Sequence, residues 1–286
     1  MALIRVLRTA AAALTHTFYV DETPTSASVD VEVTVKRLDG TVVAGPTAAT
    51  PGDPGEYTYI LPAQAELDSL TVDWVADSVG GAVVTATDYI EIVGGYLFGI
   101  AEARASDATL ANLTTYPTAK LSEKRLEVEE ECEKICRQAF VPRFARETLS
   151  GTGTDRIGLT HMILRRLRSV AVSGVAWSSP DVAAVPPADN GVARLPGGVW
   201  PRGVGNIVIE YEHGWDRPPE RISAAAMLHL RYLCNQTRTG MPDRVTSYTN
   251  EAGTFIAATQ DESRTGYPDI DSVYRRYTRL PRAVFA

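Results

Sequence analysis

The chain has 286 residues, of which 44% are hydrophobic and 22% are charged. These values are typical of folded globular proteins and exclude a wholly disordered chain. The formal net charge of −7 argues against a generally basic nucleic-acid-binding protein. The charge is unevenly distributed, since residues 1–96 carry a net charge of −9 and residues 97–286 carry +2. This difference predicts two units with different surfaces.

The cysteines and the apolar runs indicate a soluble protein made in a cytoplasm. Cys132, Cys136 and Cys234 are too few for a disulfide framework in a chain of this size, and their spacing does not match a zinc site. The apolar run Ala10–Leu14 is shorter than the core of a signal peptide. No segment approaches the roughly 18 apolar residues of a membrane helix, so we expect no membrane partner.

Residues 1–95 are predicted to form a β-sandwich of immunoglobulin-like type. In Val29–Lys36, valines alternate with polar residues, which places the two kinds of side chain on opposite faces of a strand. Asp39-Gly40 is typical of a hairpin turn. Similar runs predict about seven short strands at the spacing of a sandwich: Thr17–Val20, Val29–Lys36, Thr41–Val43, Tyr57–Leu61, Leu70–Val75, Val83–Thr87 and Tyr89–Val93. We expect this unit to fold alone, with its boundary at Gly94-Gly95.

A long amphipathic helix is predicted from Leu121 to Phe140. Leu121, Val128 and Cys132 fall on one helical face, and Pro142 ends the helix. The glutamates of this stretch point in several directions around the helix, so they do not converge on one site. They predict a solvated or subunit-facing surface, which comprises Glu127, Glu129, Glu130, Glu131 and Glu133.

The segments after Pro142 are predicted to be irregular or extended. Gly151–Thr154 lacks the spacing of a phosphate-binding loop, so we interpret it as a turn between strands. Val170–Trp177 and Asn206–Glu212 are predicted strands. Ser178–Gly203, which is rich in proline and glycine, is predicted to be a long loop or hairpin.

The most specific segment of the chain runs from Val208 to Ile222. It predicts a strand, a turn at Gly214, an N-cap at Asp216 and prolines in the first turn of a helix. The helix Glu220–Asn235 has hardly any polar face, which favours burial in its own domain or between subunits. Leu233 is expected to be among the enclosed residues.

This segment resembles the head–tail connector (adaptor) proteins of long-tailed bacteriophages. The resemblance depends on a strand that ends in Tyr-x-x-Gly-Trp, followed by Pro-Pro-Glu-x-Ile and an alanine-rich helix. The helix Leu121–Phe140 resembles the family's long N-terminal helix, and Gly266–Asp271 with the following Arg/Tyr helix resembles its tail end. The signature residues, whose role would be structural, are Tyr211, Gly214, Trp215, Pro218, Pro219, Glu220 and Ile222. The resemblance covers residues 97–286, and the β-sandwich is a departure because many adaptors lack it.

The resemblance implies an α+β protein of two domains, in which a mainly helical adaptor domain with short strands, residues 96–286, follows the β-sandwich. It implies a structural virion protein of the neck, at the head–tail interface, assembled in the host cytoplasm. Twelve identical subunits would form a ring that docks on the portal and receives a neck (stopper) or tail-completion protein. DNA would pass through the lumen without sequence-specific binding, and the β-sandwich would project from the outside of the ring. Neither catalysis nor a cofactor comes with the resemblance, and the residues offer no catalytic or metal motif of their own.

Residues 238–286 are predicted to form a C-terminal docking arm. It would contain a hairpin within Val245–Ala257 and, after Pro268, a short helix with an apolar stripe. Tyrosine and arginine are enriched at protein interfaces, and in the adaptor family the C-terminal part reaches the portal. The candidate portal-interface residues are Tyr274, Arg275, Arg276, Tyr277 and Arg279. Two alternatives stay open, namely a helix packed on its own domain with solvated arginines, and contact with DNA.

Two other classes of function remain as alternatives. One is an enzyme in which His213 and Asp216 act as acid and base, although a turn and an N-cap explain both residues without chemistry. The other is a surface or carbohydrate-binding protein that uses the β-sandwich. His229 shares a helical face with Ile222, so we interpret it as a core histidine rather than a ligand.

Overall fold

A computed structural model describes residues 3–239, 247–250, 253–256 and 264–279. Residues 3–93, all of them described, form ten strands and no helix, as their alternating pattern predicts. The strands are β1 (Leu3–Leu7), β2 (Ala12–Thr17), β3 (Tyr19–Val20), β4 (Thr23–Pro24), β5 (Val31–Arg37), β6 (Val42–Ala48), β7 (Thr50–Pro51), β8 (Glu56–Leu61), β9 (Asp68–Val79) and β10 (Ala82–Val93).

Two of the sheets of this first unit enclose a common core. The larger sheet has the strand order β1-β10-β9-β5-β6, and the smaller has the order β2-β8-β7. β1 runs parallel to β10, whereas the other neighbours in the larger sheet are antiparallel. Val33, Trp74 and Leu61 come from both sheets and are fully buried between them. The indole of Trp74 donates to the Asp88 carboxylate over 3.1 Å, which satisfies its one polar atom.

The second unit is not mainly helical, so the prediction of a mainly helical adaptor domain is wrong. Among its described residues, eight strands accompany five helices. The strands are β11 (Arg143–Gly151), β12 (Arg156–Gly158), β13 (Leu164–Val172), β14 (Val175–Ala176), β15 (Val192–Arg194), β16 (Gly203–His213), β17 (Ser247–Asn250) and β18 (Gly253–Ile256). The helices are α1 (Ile100–Ser106), α2 (Thr118–Cys136), α3 (Ser179–Ala183), α4 (Glu220–Thr239) and α5 (Pro268–Tyr277).

Two β-bulges explain why the sequence pattern does not predict the strand β13. The main sheet of the second unit has the strand order β11-β16-β13-β14. In β13 the buried residues Leu164, Leu167 and Val170 recur every three residues, as they would on a helix. The register of β13 against β16 shifts twice, between residues 164 and 166 and between residues 167 and 169. Each extra residue returns the next apolar side chain to the buried face, so the period of two is lost.

The smaller predictions for this sheet have mixed outcomes. The turn at Gly151–Thr154 and the strand at Asn206–Glu212 are confirmed, the latter within β16. The predicted single strand Val170–Trp177 is instead a hairpin, in which the end of β13 turns at residues 173–174 into β14. The predicted loop Ser178–Gly203 contains α3 and β15, and β15 pairs with β12.

Four helices share a second apolar core, which contains residues of α1, α2, α4 and α5. α2 ends at Cys136, earlier than the predicted Phe140, because Arg137 adopts a left-handed φ of 56°. α4 begins at Glu220, and the carbonyl of Pro219 accepts the amides of its first turn. Asp216 is therefore not the N-cap, which corrects that prediction.

The burial of α4 is less complete than its sequence predicts. Ile222, Ala226 and Leu230 are fully buried, whereas Leu233 is only half-buried. Arg221 and Arg231 lie on an exposed side of the helix. The expectation that Leu233 is enclosed is wrong, and Leu230 takes that position.

A buried ion network joins the two units. Arg5 of β1 donates to Glu91 of β10 over 2.9 Å. Its other two nitrogens donate to Glu129 and Glu133 of α2, each over 3.0 Å. Arg143 of β11 donates to Glu91 over 3.2 Å and to Glu133 over 2.8 Å. The prediction of a solvated glutamate surface is therefore wrong for Glu129 and Glu133, because arginines from distant segments neutralise them.

The boundary between the units is also held by the backbone. The amide of Gly94 donates to the carbonyl of Pro142 over 2.9 Å. A Cβ at Gly94 would lie 2.7 Å from the Pro142 ring, so the two segments are in close contact. The amide of Leu97 donates to Glu129 over 2.9 Å. The glycine pair is therefore a packed connection between the two units.

Replacing Glu129 tests the ion network. Glu129→Ala should lower the free energy of unfolding by about 3 kcal/mol, because Arg5 and the Leu97 amide lose a buried acceptor. The adjacent Glu130 is exposed, so Glu130→Ala should change the free energy of unfolding by less than about 0.5 kcal/mol. Urea denaturation of both variants measures the difference. Equal losses would mean that the network does not stabilise the fold.

Candidate functional site

The predicted signature turn is a close crossing of two chain segments. β16 ends at His213, and Gly214 follows with a φ of 94°. A Cβ at Gly214 would lie 2.3 Å from the carbonyl oxygen of Val141. The Gly214 amide donates to Ile163 over 3.0 Å, and the Trp215 amide donates to Ala139 over 3.2 Å. Both the backbone conformation and the lack of space require glycine here.

Gln138 connects this turn to the C-terminal helix. Its Oε1 accepts the indole N–H of Trp215 over 3.1 Å and the Nε of Arg279 over 3.3 Å. Its amide nitrogen donates to the carbonyl of Tyr277. The ring of Phe140 lies between Trp215 and Tyr277, with centroid distances of 6.2 and 6.0 Å. The signature turn, the end of α2 and the end of α5 therefore form one packed unit.

The other signature residues support the strand and the helix on either side of the turn. Tyr211 is fully buried, and its hydroxyl donates to the carboxylate of Glu147. Burial raises the pKa of Tyr211 above its ordinary value, and the hydrogen bond to Glu147 acts in the same direction. Ile222 is fully buried in the helical core. The remaining members are more accessible, with Pro218 and Pro219 half-buried and Glu220 exposed.

The candidate portal-interface residues differ in exposure. Tyr274 is fully buried in the helical core, so it offers no surface to a partner, which corrects its place in the predicted interface. Arg275 and Arg276 are exposed, whereas Tyr277 and Arg279 are half-buried. The apolar face of α5 therefore packs on its own domain, as one of the open alternatives predicts, while two arginines still face solvent.

The predicted hairpin of the docking arm is confirmed in its strands. β17 and β18 pair in antiparallel fashion, from Ser247 opposite Ile256 to Asn250 opposite Gly253. Residues 240–246, 251–252, 257–263 and 280–286 of the arm lie outside the described residues.

The alternative acid–base pair is not assembled in the structure. His213 is buried and stacks on His161, with their ring centroids 3.8 Å apart. Burial lowers the pKa of His213 well below its ordinary value, and the neighbouring His161 acts in the same direction. Asp216 instead pairs with Arg165. A neutral buried imidazole and a paired carboxylate do not form the couple that acid–base catalysis requires.

A cavity of about 460 Å³ opens beside the signature turn. Sequence reasoning missed it, because it combines the turn with segments whose side chains carry no motif. Its lining includes Arg165, Pro187, Asp189, Trp215, Asp216 and Arg279. Two cationic and two anionic side chains therefore meet next to an aromatic wall.

The described residues contain no group of three or more His, Cys, Asp or Glu side chains placed to hold a metal ion. In the same part of the chain, no helix has the length and apolar character needed to cross a membrane. Cys132, Cys136 and Cys234 are buried free thiols, and burial raises the pKa of Cys132 well above its ordinary value. The thiolate needed for nucleophilic chemistry is therefore disfavoured at Cys132.

No protein-family model matches the chain, and no curated protein sequence matches it significantly. The resemblance to adaptors therefore rests on the signature residues of the sequence alone.

Substituting Gly214 tests the crossing. Gly214→Ala should lower the free energy of unfolding by about 3–5 kcal/mol, because it combines a positive φ with a clash against Val141. Gly174 provides a matched control, since its φ is 81° but a Cβ there would meet nothing within 4 Å. Gly174→Ala should cost only about 1–2 kcal/mol. Chemical denaturation distinguishes the two, and similar costs would contradict the close crossing.

His229 is the core histidine that its helical position predicts. It is only 1% exposed, and its Nε2 lies 3.4 Å from the Glu131 carboxylate. The rings of Tyr267 and Tyr274 flank it at 6.0 and 6.4 Å. Burial lowers the pKa of His229 to about 4.

This histidine should make the fold sensitive to acid. An unfolded histidine titrates near pH 6.5, so the unfolded chain binds more protons than the folded chain between about pH 6.5 and 4. Stability should therefore fall as the pH drops through this window, by about 2–3 kcal/mol from His229 between pH 7 and 4.5. Urea denaturation at both pH values should show a smaller loss for His229→Gln than for the unmodified protein. An identical pH dependence would rule out this contribution.

Proposed function

We propose that the protein is a structural subunit of a phage head-to-tail adaptor ring in the virion neck. The ring would dock on the portal, connect the capsid to the neck or tail, and let DNA pass through its lumen. The observation that best supports this proposal is that the three segments that resemble the adaptor family contact one another in the structure. The end of α2, the turn after β16 and the end of α5 are distant in sequence, yet they meet at Gln138 and Phe140.

The side chains around the turn contact other parts of the same chain, which supports a structural role. The polar groups of Trp215 and Tyr211 are bonded to Gln138 and Glu147, which fixes the strand and the helix ends. His213 and Asp216, the strongest catalytic candidates, are separately engaged by His161 and Arg165. A site for chemistry would instead keep such groups directed at one substrate.

The charge distribution supports association of identical subunits in a ring. A ring forms when each subunit joins its neighbours through two different, complementary surfaces. The first unit carries a net charge of −9 and the second +2. The second unit exposes arginines on two adjacent helices, namely Arg221 and Arg231 on α4 and Arg275 and Arg276 on α5. The Arg5 network holds the acidic unit in a fixed position relative to these arginines.

The full chain tests this proposal directly. Twelve copies of the 30.9 kDa chain should give a particle of about 370 kDa in light scattering and a ring in negative-stain electron micrographs. The ring should also co-sediment with the portal protein of the same virus. A double variant Arg275→Glu/Arg276→Glu should keep the ring and lose portal binding, because both arginines face solvent on α5.

The matched control is Arg156→Glu/Arg202→Glu, which reverses two other exposed arginines of the same unit. Equal loss of portal binding in both double variants would remove α5 from the interface. A monomer that neither forms rings nor binds the portal would overturn the adaptor proposal. Binding of such a monomer to glycans would favour the alternative of a carbohydrate-binding protein.

A further inference from the structure

Arg279 lines the cavity beside the signature turn with only neutral hydrogen-bond partners. Its Nε donates to Gln138 over 3.3 Å, and its Nη1 donates to the main-chain carbonyl of Asp189 over 3.4 Å. Among the described residues, no ion pair joins its guanidinium to a carboxylate. Both hydrogen bonds are long, and a half-buried arginine is stabilised most by an anion. The guanidinium of Arg279 is therefore placed to bind an anion.

The cavity also offers an apolar wall. The indole nitrogen of Trp215 is already bonded to Gln138, so the rest of its ring presents only carbon to the cavity. Ile163, Leu164 and Pro187 contribute further apolar surface. The volume of about 460 Å³ is large enough for one or two amino-acid side chains and their backbone.

The charges of the lining select the kind of anion. Arg165 is paired with Asp216, and Asp189 is a second acidic residue of the lining. The formal charges of Arg165, Arg279, Asp189 and Asp216 therefore cancel. A nucleic-acid backbone would bring several phosphates close to the two aspartates, which opposes binding. A single carboxylate directed at Arg279 brings only one negative charge, so this repulsion is smaller.

We propose that this cavity binds a peptide segment of a partner protein that presents one carboxylate beside a large apolar side chain. The carboxylate pairs with Arg279, and the apolar side chain packs on Trp215 and Pro187. This inference goes beyond the proposed adaptor function, because it requires only the cavity and its unpaired guanidinium. It applies to a ring and to a single chain alike.

A pair of peptides tests the charge requirement on the full chain. Fluorescein-labelled Gly-Ala-Val-Phe with a free C-terminal carboxylate is compared with the same peptide ending in an amide, by fluorescence anisotropy. The acid should bind at least about tenfold more tightly than the amide, as expected for a charge-assisted hydrogen bond to Arg279. Arg279→Gln should remove this preference. Arg202→Gln, which replaces an exposed arginine of the same unit that does not line the cavity, should keep it.

Several outcomes would overturn the proposal. One is equal binding of acid and amide to the unmodified chain, and another is an unchanged preference in Arg279→Gln. Should Arg279→Gln not fold, a benzophenone-bearing version of the acid peptide is crosslinked to the unmodified chain. Adducts on Trp215 or Pro187 support the site, and adducts elsewhere contradict it.

A labelled DNA duplex serves as the competing ligand. If the duplex binds and Arg279→Gln abolishes that binding, the cavity is a phosphate site and the peptide proposal is wrong. Light scattering of the same samples records whether a ring is present. Light scattering therefore tests the adaptor proposal, and fluorescence anisotropy tests peptide binding, so that the failure of one can be distinguished from the failure of the other.

Discussion

Arg5 is the residue on which the arrangement of the two units depends. Its guanidinium contacts three glutamates, one from its own sheet and two from α2 in the other unit. Removing these charges from water is costly, and the cost is offset only when all partners are in place. The network therefore favours one relative position of the units over partly engaged ones.

Gln138 has a comparable role inside the second unit. One amide side chain connects the end of α2, the signature turn and the end of α5 through Trp215, Tyr277 and Arg279. Because Arg279 also lines the cavity, the position of the C-terminal helix contributes to the shape of that cavity. Folding of the core and the geometry of the candidate binding site are thus controlled by the same contacts.

The sequence predicts features whose pattern is local and misses those that depend on distant partners. The alternation of valines with polar residues in Val29–Lys36 predicts a strand, and Gly214 predicts a turn. The structure contains both. In β13 two bulges change the apparent period to three, so its strand character is hidden. The burial of Glu129 could not be predicted, since its partner Arg5 is 124 residues away. The apolar stripe of α5 was recognised, but periodicity does not show that Tyr274 packs on its own domain rather than on a partner.

The parallel pairing of β1 with β10 has a consequence for synthesis of the chain. Leu3 lies beside Tyr89, and the glutamates of α2 that bind Arg5 are 124 and 128 residues away. β1 therefore has no strand partner until β10 has been synthesised, and Arg5 lacks two of its three carboxylate partners until α2 has been synthesised. Until β1 pairs with β10, the β10 edge is open, and a strand from another nascent chain can add to it. Synthesis of α2 then completes the ion network around Arg5, which holds β1 in place and keeps that edge closed against mispairing between chains.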